Sequence, residues 1–217
     1  MKKLLNKELR LALSILTPLF LLFALMTLIP GYPILMGAFF ICFGIFQSFQ
    51  TTRESNDILY SALLPIRKRD VVTAKYIMTV FFQMAGFAVM AVLTAVRMTV
   101  LKSAAPYTTN ALMAANPFFL AFVLLIFTAF NLLFLKGFFR TAYYFGKPFV
   151  FFIVVTMLLV GVAEAMHHVP GQGWVNDVSG KALASQFVIL LVCAAVYAGG
   201  TLLSLRSSQK SFEALDI

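Results

Sequence analysis

Six continuously apolar blocks, at residues 11–29, 32–50, 71–100, 113–136, 148–165 and 183–205, occupy most of this 217-residue chain. Most match the ~17–25 residues that a helix needs to cross the hydrocarbon core of a bilayer. The blocks lack the apolar–polar alternation of a membrane β-barrel strand. Helices satisfy their own backbone hydrogen bonds where lipid offers no partner. The sequence therefore predicts an all-α, polytopic membrane protein with six transmembrane helices in a single domain over residues 1–217. The third block is long enough to extend beyond the bilayer, and the fifth only just spans. With 61% hydrophobic and 12% charged residues, the chain has too little polar surface for a soluble domain of this size.

The net charge of +9 raises nucleic acid as a partner, but its distribution points to a membrane. With an even number of spans both termini share one side. Only Arg97, Lys102 and Lys181 of the 17 Lys and Arg residues fall on the other. The positive-inside asymmetry places both termini in the cytoplasm, where each Lys or Arg near anionic headgroups contributes about 1 kcal/mol. At residues 2–13, Lys2, Lys3, Lys7 and Arg10 oppose Leu4, Leu5, Leu9, Ala12 and Leu13, the pattern of a short amphipathic interface helix. The first apolar block is too long for a signal-peptide core and no A-x-A site follows it, so it reads as a retained span. Cys42 and Cys193 lie inside apolar blocks and read as small buried hydrophobes.

Between the second and third blocks lies a charged island, TTRESNDILYSALLPIRKRDVVTAKY. Thr51-x-x-Glu54 fits a capping box and so predicts a new helix start. Pro65 predicts its end. A short helix over about 52–64 results, with Ile58, Leu59, Ala62 and Leu63 on one face and Arg53, Asn56, Asp57 and Tyr60 toward others. A helix of two to three turns is unstable alone in water, so it requires a surface to lie on. Asp70 falls near the N-terminus of the next helix, where a carboxylate is favoured.

The run Glu54, Asp57, Leu63, Leu64-Pro65, Arg67, Asp70, Val71-Val72, Lys75-Tyr76 resembles the cytoplasmic loop of type-2 ABC exporter permeases. The six-span layout and amphipathic N-terminus are similar too. Arg67 departs from the family, which often has Ser or Thr there. The short, single-domain form most resembles permeases of bacterial peptide-toxin exporters, including the phenol-soluble-modulin exporter. The resemblance implies two permease subunits, alike or different, in the bacterial cytoplasmic membrane, and two ABC ATPase subunits carrying ATP and Mg. The implied ATPase-docking residues are Arg53, Glu54, Asp57, Leu59, Tyr60, Leu63, Leu64, Pro65 and Arg67, and the implied cargo is an amphipathic or hydrophobic peptide. The alternatives for cargo are a lipid or an antibiotic pumped for self-immunity. No G-x-x-x-x-G-K-[ST] occurs, since Pro148 follows Gly146-Lys147 and Ala182 follows Gly180-Lys181. This chain is thus expected to be a transport subunit and not an enzyme, with no cofactor of its own.

Gln47, Gln83, Asn131 and Gln186 are amides within or near the spans. Such side chains face the protein interior or a cavity, not lipid, and are candidates for pathway lining or for helix–helix bonds. Arg97 reads as a cation snorkelling to headgroups. Glu164, His167 and His168 lack metal-protease spacing, so no metal site is expected. An intramembrane protease would need catalytic groups converging at membrane depth, and none is evident. An ATP-independent transporter would work without nucleotide.

Overall fold

The computed structural model describes Leu4, Lys7, Glu8 and residues 14–63, 66–108, 110, 112–141 and 144–215, omitting the side chains of Leu59, Ala62 and Leu63. The described residues form helices and no strand. They are α1 (Leu16–Leu28), α2 (Met36–Glu54), α3 (Asp57–Leu63), α4 (Lys68–Thr99), α5 (Pro117–Thr141), α6 (Gly146–His168) and α7 (Gly180–Glu213). Single turns at Ala105–Thr108 and Gly173–Val175 lie in connections. The amphipathic pattern at residues 2–13 falls mostly outside the described residues, as do Leu64 and Pro65.

Four helices, α4, α5, α6 and α7, are long and apolar enough to cross a membrane. The first two apolar blocks fold differently. α1 tightens from α-helix into a 3-10 helix at Leu21. α2 has 19 residues, but its end carries Gln47, Ser48, Gln50, Thr51, Thr52, Arg53 and Glu54. The two pack closely at Gly44, where a Cβ would come within 2.4 Å of Phe20 Cβ. Small residues are what let membrane helices approach this way. Thr17 Oγ1 donates to the Gly44 carbonyl at 2.7 Å and lies 2.6 Å from Ser48 Oγ.

α5 is the central helix. In its most apolar stretch 78% of the residues are buried, against 22% for α7. Phenylalanines fill the space around it. Phe46 of α2 stacks on Phe149 of α6 with centroids 3.7 Å apart, and Phe134 and Phe138 of α5 meet Phe49 edge-on. Aromatic pairs in these geometries add about 0.5–1.5 kcal/mol each beyond the area they bury. The outer faces of α6 and α7 remain apolar and exposed, with Phe151, Leu158, Leu191 and Leu203 all above 60%. Such faces suit contact with lipid or other membrane helices.

α4 rises about 48 Å and α7 about 51 Å, more than the ~30 Å hydrocarbon core. The start of α4 runs antiparallel to the end of α7. Tyr76 Oη lies 2.7 Å from both Ser204 Oγ and Ser208 Oγ. Gln209 donates to Thr73 Oγ1 at 3.0 Å, and Arg69 pairs with Glu213 at 2.5 Å.

Candidate functional site

The site forms where α2, α3, α4 and the N-terminal residues converge. α2 continues through Thr51 and Glu54, and Thr51 Oγ1 donates back to the Gln47 carbonyl at 3.2 Å. The expected capping box therefore belongs to the last turn of α2 and starts nothing. Asn56 makes the break instead, with φ of 50°, in the left-handed region that Asn tolerates better than most residues. α3 then begins at Asp57, whose carboxylate sits at the favourable end of the helix.

Asp57 enters a buried cluster of four charges. Lys75, in α4, donates to Glu8 Oε2 at 2.7 Å, to Thr52 Oγ1 at 3.1 Å and to Asp57 Oδ2 at 3.3 Å. All three ammonium donors are thereby used. Lys7 lies 2.5 Å from Asp57 Oδ1 and 3.4 Å from Glu8 Oε1, and donates to Ser61 Oγ at 2.5 Å. Glu8 is wholly buried, Lys75 1% exposed and Asp57 8% exposed. Two cations and two carboxylates balance formally, which is the condition for holding charges out of water. The cluster ties the N-terminal residues, the end of α2 and the start of α3 to the second turn of α4.

This placement corrects the expected face of the short helix. Ile58 is buried, but so are Asp57 and Ser61. The buried Lys75 draws the polar residues inward. Asp57 is consequently not displayed to solvent. Tyr60 is 61% exposed, and Arg53, Glu54 and Arg67 are exposed around it. The Arg53 guanidinium lies 4.8 Å from the Phe145 ring centroid. Of the other docking candidates, Leu64 and Pro65 and the side chains of Leu59 and Leu63 lie outside the described residues.

The amides are placed as follows. Gln83 (α4) and Asn131 (α5) bond to each other in both directions, at 3.0 and 3.2 Å. Tyr197 Oη donates to Gln83 Oε1 at 2.8 Å, and Asn131 donates to Thr201 Oγ1 at 2.9 Å. Three helices meet through this joint, and α5 widens into a π-helix over Phe130–Leu135 at the same level. The Asn131 carbonyl accepts from Ser204 Oγ. The Gln186 amide nitrogen lies within hydrogen-bond reach of the carbonyls of Trp174, Val175 and Asp177 and donates its two N–H groups among them, closing the connection between α6 and α7. Gln47 is half-buried in α2.

Arg97 does not reach toward headgroups. It is 7% exposed and donates to the Thr27 carbonyl at 2.7 Å, with its guanidinium 4.5 Å from the Tyr107 ring centroid. The last carbonyls of α1 lack helical partners, and a cation is favoured at that end. Glu164 accepts from the Met113 N–H at 2.9 Å, and His167 pairs with Asn176. Among the described residues no group of three or more His, Cys, Asp or Glu is arranged to hold a metal.

Glu8 and Lys75 were the legible omissions. Lys75 is a cation just inside an apolar block, and Glu8 the only acid in a basic N-terminus. A charge in an apolar helix needs a partner, and that rule was the available signal.

Helices of this length and apolarity, packed through buried polar joints, define a multi-pass helical membrane protein. The chain matches the model of the ABC-2 family transporter protein over residues 3–213, and it belongs to that family. No curated protein and no solved structure gives a significant match. Membership makes the chain the membrane subunit of an ABC transporter, the kind of subunit that works with separate ABC ATPases.

Proposed function

We propose that this chain is the permease subunit of an ATP-driven exporter in the bacterial cytoplasmic membrane, and that α3 is its coupling helix. α1 and α2 complete a six-span layout with both termini in the cytoplasm. Two such subunits, alike or related, pair with two ATPase subunits that carry ATP and Mg.

The observation that carries this reading is the buried charge cluster joining α3 to α4. A helix that receives a push must pass it on without slipping. Breaking a buried ion pair on one side costs about 3–5 kcal/mol, so Asp57 and Lys75 move together under smaller loads. Arg53, Glu54, Tyr60 and Arg67, exposed beside this anchor, present a polar and aromatic face to the ATPase. Leu59, Leu63, Leu64 and Pro65 complete the docking segment.

The cargo is an amphipathic or hydrophobic peptide. Between α4 and α7 runs an apolar groove of about 570 Å³, lined by Tyr76, Ile77, Phe81, Tyr197 and Leu202 among others. A lipid or antibiotic cargo is the second reading, favoured by the same lack of polar lining. Gln83 and Asn131 bond to Tyr197 and Thr201 of this groove, and with Gln47 and Gln186 they are the polar candidates for a pathway.

Affinity purification from native membranes tests the assignment, with the co-eluting proteins and bound small molecules identified. An ABC ATPase should co-elute, and should be lost on Tyr60→Ala combined with Arg67→Glu. Transport in sealed vesicles without nucleotide, or purification with no ATPase, would sink the proposal.

A further inference from the structure

A second site lies at the elbow between α5 and α6. Gly137 makes this corner tight, since a Cβ there would meet Pro148 Cγ at 2.6 Å. Beside the contact opens a cavity of about 700 Å³. Leu133 and Phe151 form apolar walls, and Arg140 and Lys147 stand at the same cavity. Both cations are exposed, and neither has an ion pair or hydrogen bond among the described residues. Lys7, Arg69 and Lys75, by contrast, are all paired with carboxylates. No Asp or Glu occurs between Asp70 and Glu164, so the connection supplies no counter-charge of its own. Both flanking helices are long and apolar enough to cross the membrane, which sets their junction at the level of headgroups.

We propose that this cavity binds an anionic phospholipid, its phosphate held by Arg140 and Lys147 and an acyl chain lying along Leu133 and Phe151. The combination of unpaired cations with apolar walls matches a molecule that is anionic at one end and greasy at the other. A free anion would leave the walls wet, and a zwitterionic lipid would set its own cation against the two on the protein. The proposal rests on membrane placement and is independent of the exporter reading.

The full chain, purified in mixed micelles containing phosphatidylglycerol and phosphatidylcholine, supplies the test. Native mass spectrometry counts the lipid retained. Wild type should prefer phosphatidylglycerol. The preference should fall by about fivefold for each cation removed in Arg140→Gln and Lys147→Gln. The control pair Arg206→Gln and Lys210→Gln should keep it, and added inorganic phosphate should not displace the lipid. Should the cation variants fail to elute as one species, Phe151→Ala supplies the second arm, removing an exposed apolar wall and lowering retention. Equal retention of the two lipids by wild type overturns the site, as does unchanged preference in the cation variants. Equal loss in the control pair would mean general surface attraction, and displacement by phosphate a free-anion site. Either result also overturns the proposal.

Discussion

Asp57, in the first turn of α3, lies 3.3 Å from Lys75 in α4, and both side chains are at least nine-tenths buried. The two come from opposite sides of the connection between α3 and α4. Their contact makes the short helix a part of the membrane-helix bundle. Glu8, also fully buried on the same ammonium, is fastened to that point as well.

Lys75→Met should therefore be among the most damaging single changes. It leaves Glu8 and Asp57 with only Lys7 as counter-charge, and Lys7 is itself 14% exposed. A loss of about 3–5 kcal/mol is expected, seen as a lowered thermal midpoint in detergent. Asp57→Asn should cost less, because Lys75 keeps Glu8 and Thr52. The double variant should show a coupling of about 0.5–3 kcal/mol between the sites. Strict additivity would mean the contact contributes nothing as a pair.

The Gln83–Asn131 joint carries a smaller stake. Polar contacts between membrane helices average about 0.6 kcal/mol and reach about 1.7. Gln83→Leu should cost an amount in that range, since Asn131 keeps Thr201. Tyr197→Phe should then add almost nothing in the Gln83→Leu background, because Tyr197 Oη donates to Gln83 Oε1. Full additivity in unfolding measurements would show that the hydroxyl acts elsewhere.

What could be read from residues alone follows from range. The apolar blocks are local signals, and each became a helix or a helix pair. The short helix after α2 was also legible, but its start was misplaced. Thr51 and Glu54 satisfy a local capping pattern, whereas the preceding helix held them through the Thr51-to-Gln47 back-bond. Propensity at a helix end yields easily to such context. The sequence led to Asp57 being expected at a docking surface, and its burial was not legible, because its partner Lys75 lies 18 positions along the chain. Arg97 shows the same limit. Its position near a helix end suits snorkelling, and only the fold brings the Thr27 carbonyl, 70 positions away, within reach.

Gly44 tests the contact of α1 with α2. Its added Cβ would lie 2.4 Å from Phe20 Cβ and 2.9 Å from Phe20 Cγ. The Phe20 Cβ is tied to its own backbone and cannot swing aside, so Gly44→Ala must push the helices apart. That displacement would stretch the Thr17 bond to the Gly44 carbonyl. A loss of about 1–3 kcal/mol is expected from overpacking, against a gain of up to about 1 kcal/mol in helix propensity. Gly199→Ala is the control, since nothing lies within 4 Å of its Cβ position, and it should be neutral or stabilising. Equal effects of the two changes on the thermal midpoint would contradict the packing described here.

The entry to α7 provides a pH-dependent case. Asp177 Oδ1 accepts from the Ser179 N–H at 2.9 Å and from Ser179 Oγ at 2.7 Å. These two bonds, chiefly the hydroxyl, favour the charged carboxylate and hold its pKa below the ordinary range, with Lys102 assisting. The folded value lies under the unfolded one. The stabilisation is accordingly present above the unfolded pKa of about 3.9 and is lost as pH falls through the folded value. Asp177→Asn keeps an oxygen that can accept both bonds and removes only the charge. The gap in thermal midpoint between wild type and Asp177→Asn should stay level from neutral pH to about 5 and close below about 4. The effect should be small, because the group is fully exposed to solvent and screened. A gap that widens in acid would reverse the sign of the linkage and rule out the Ser179 bonds as its source.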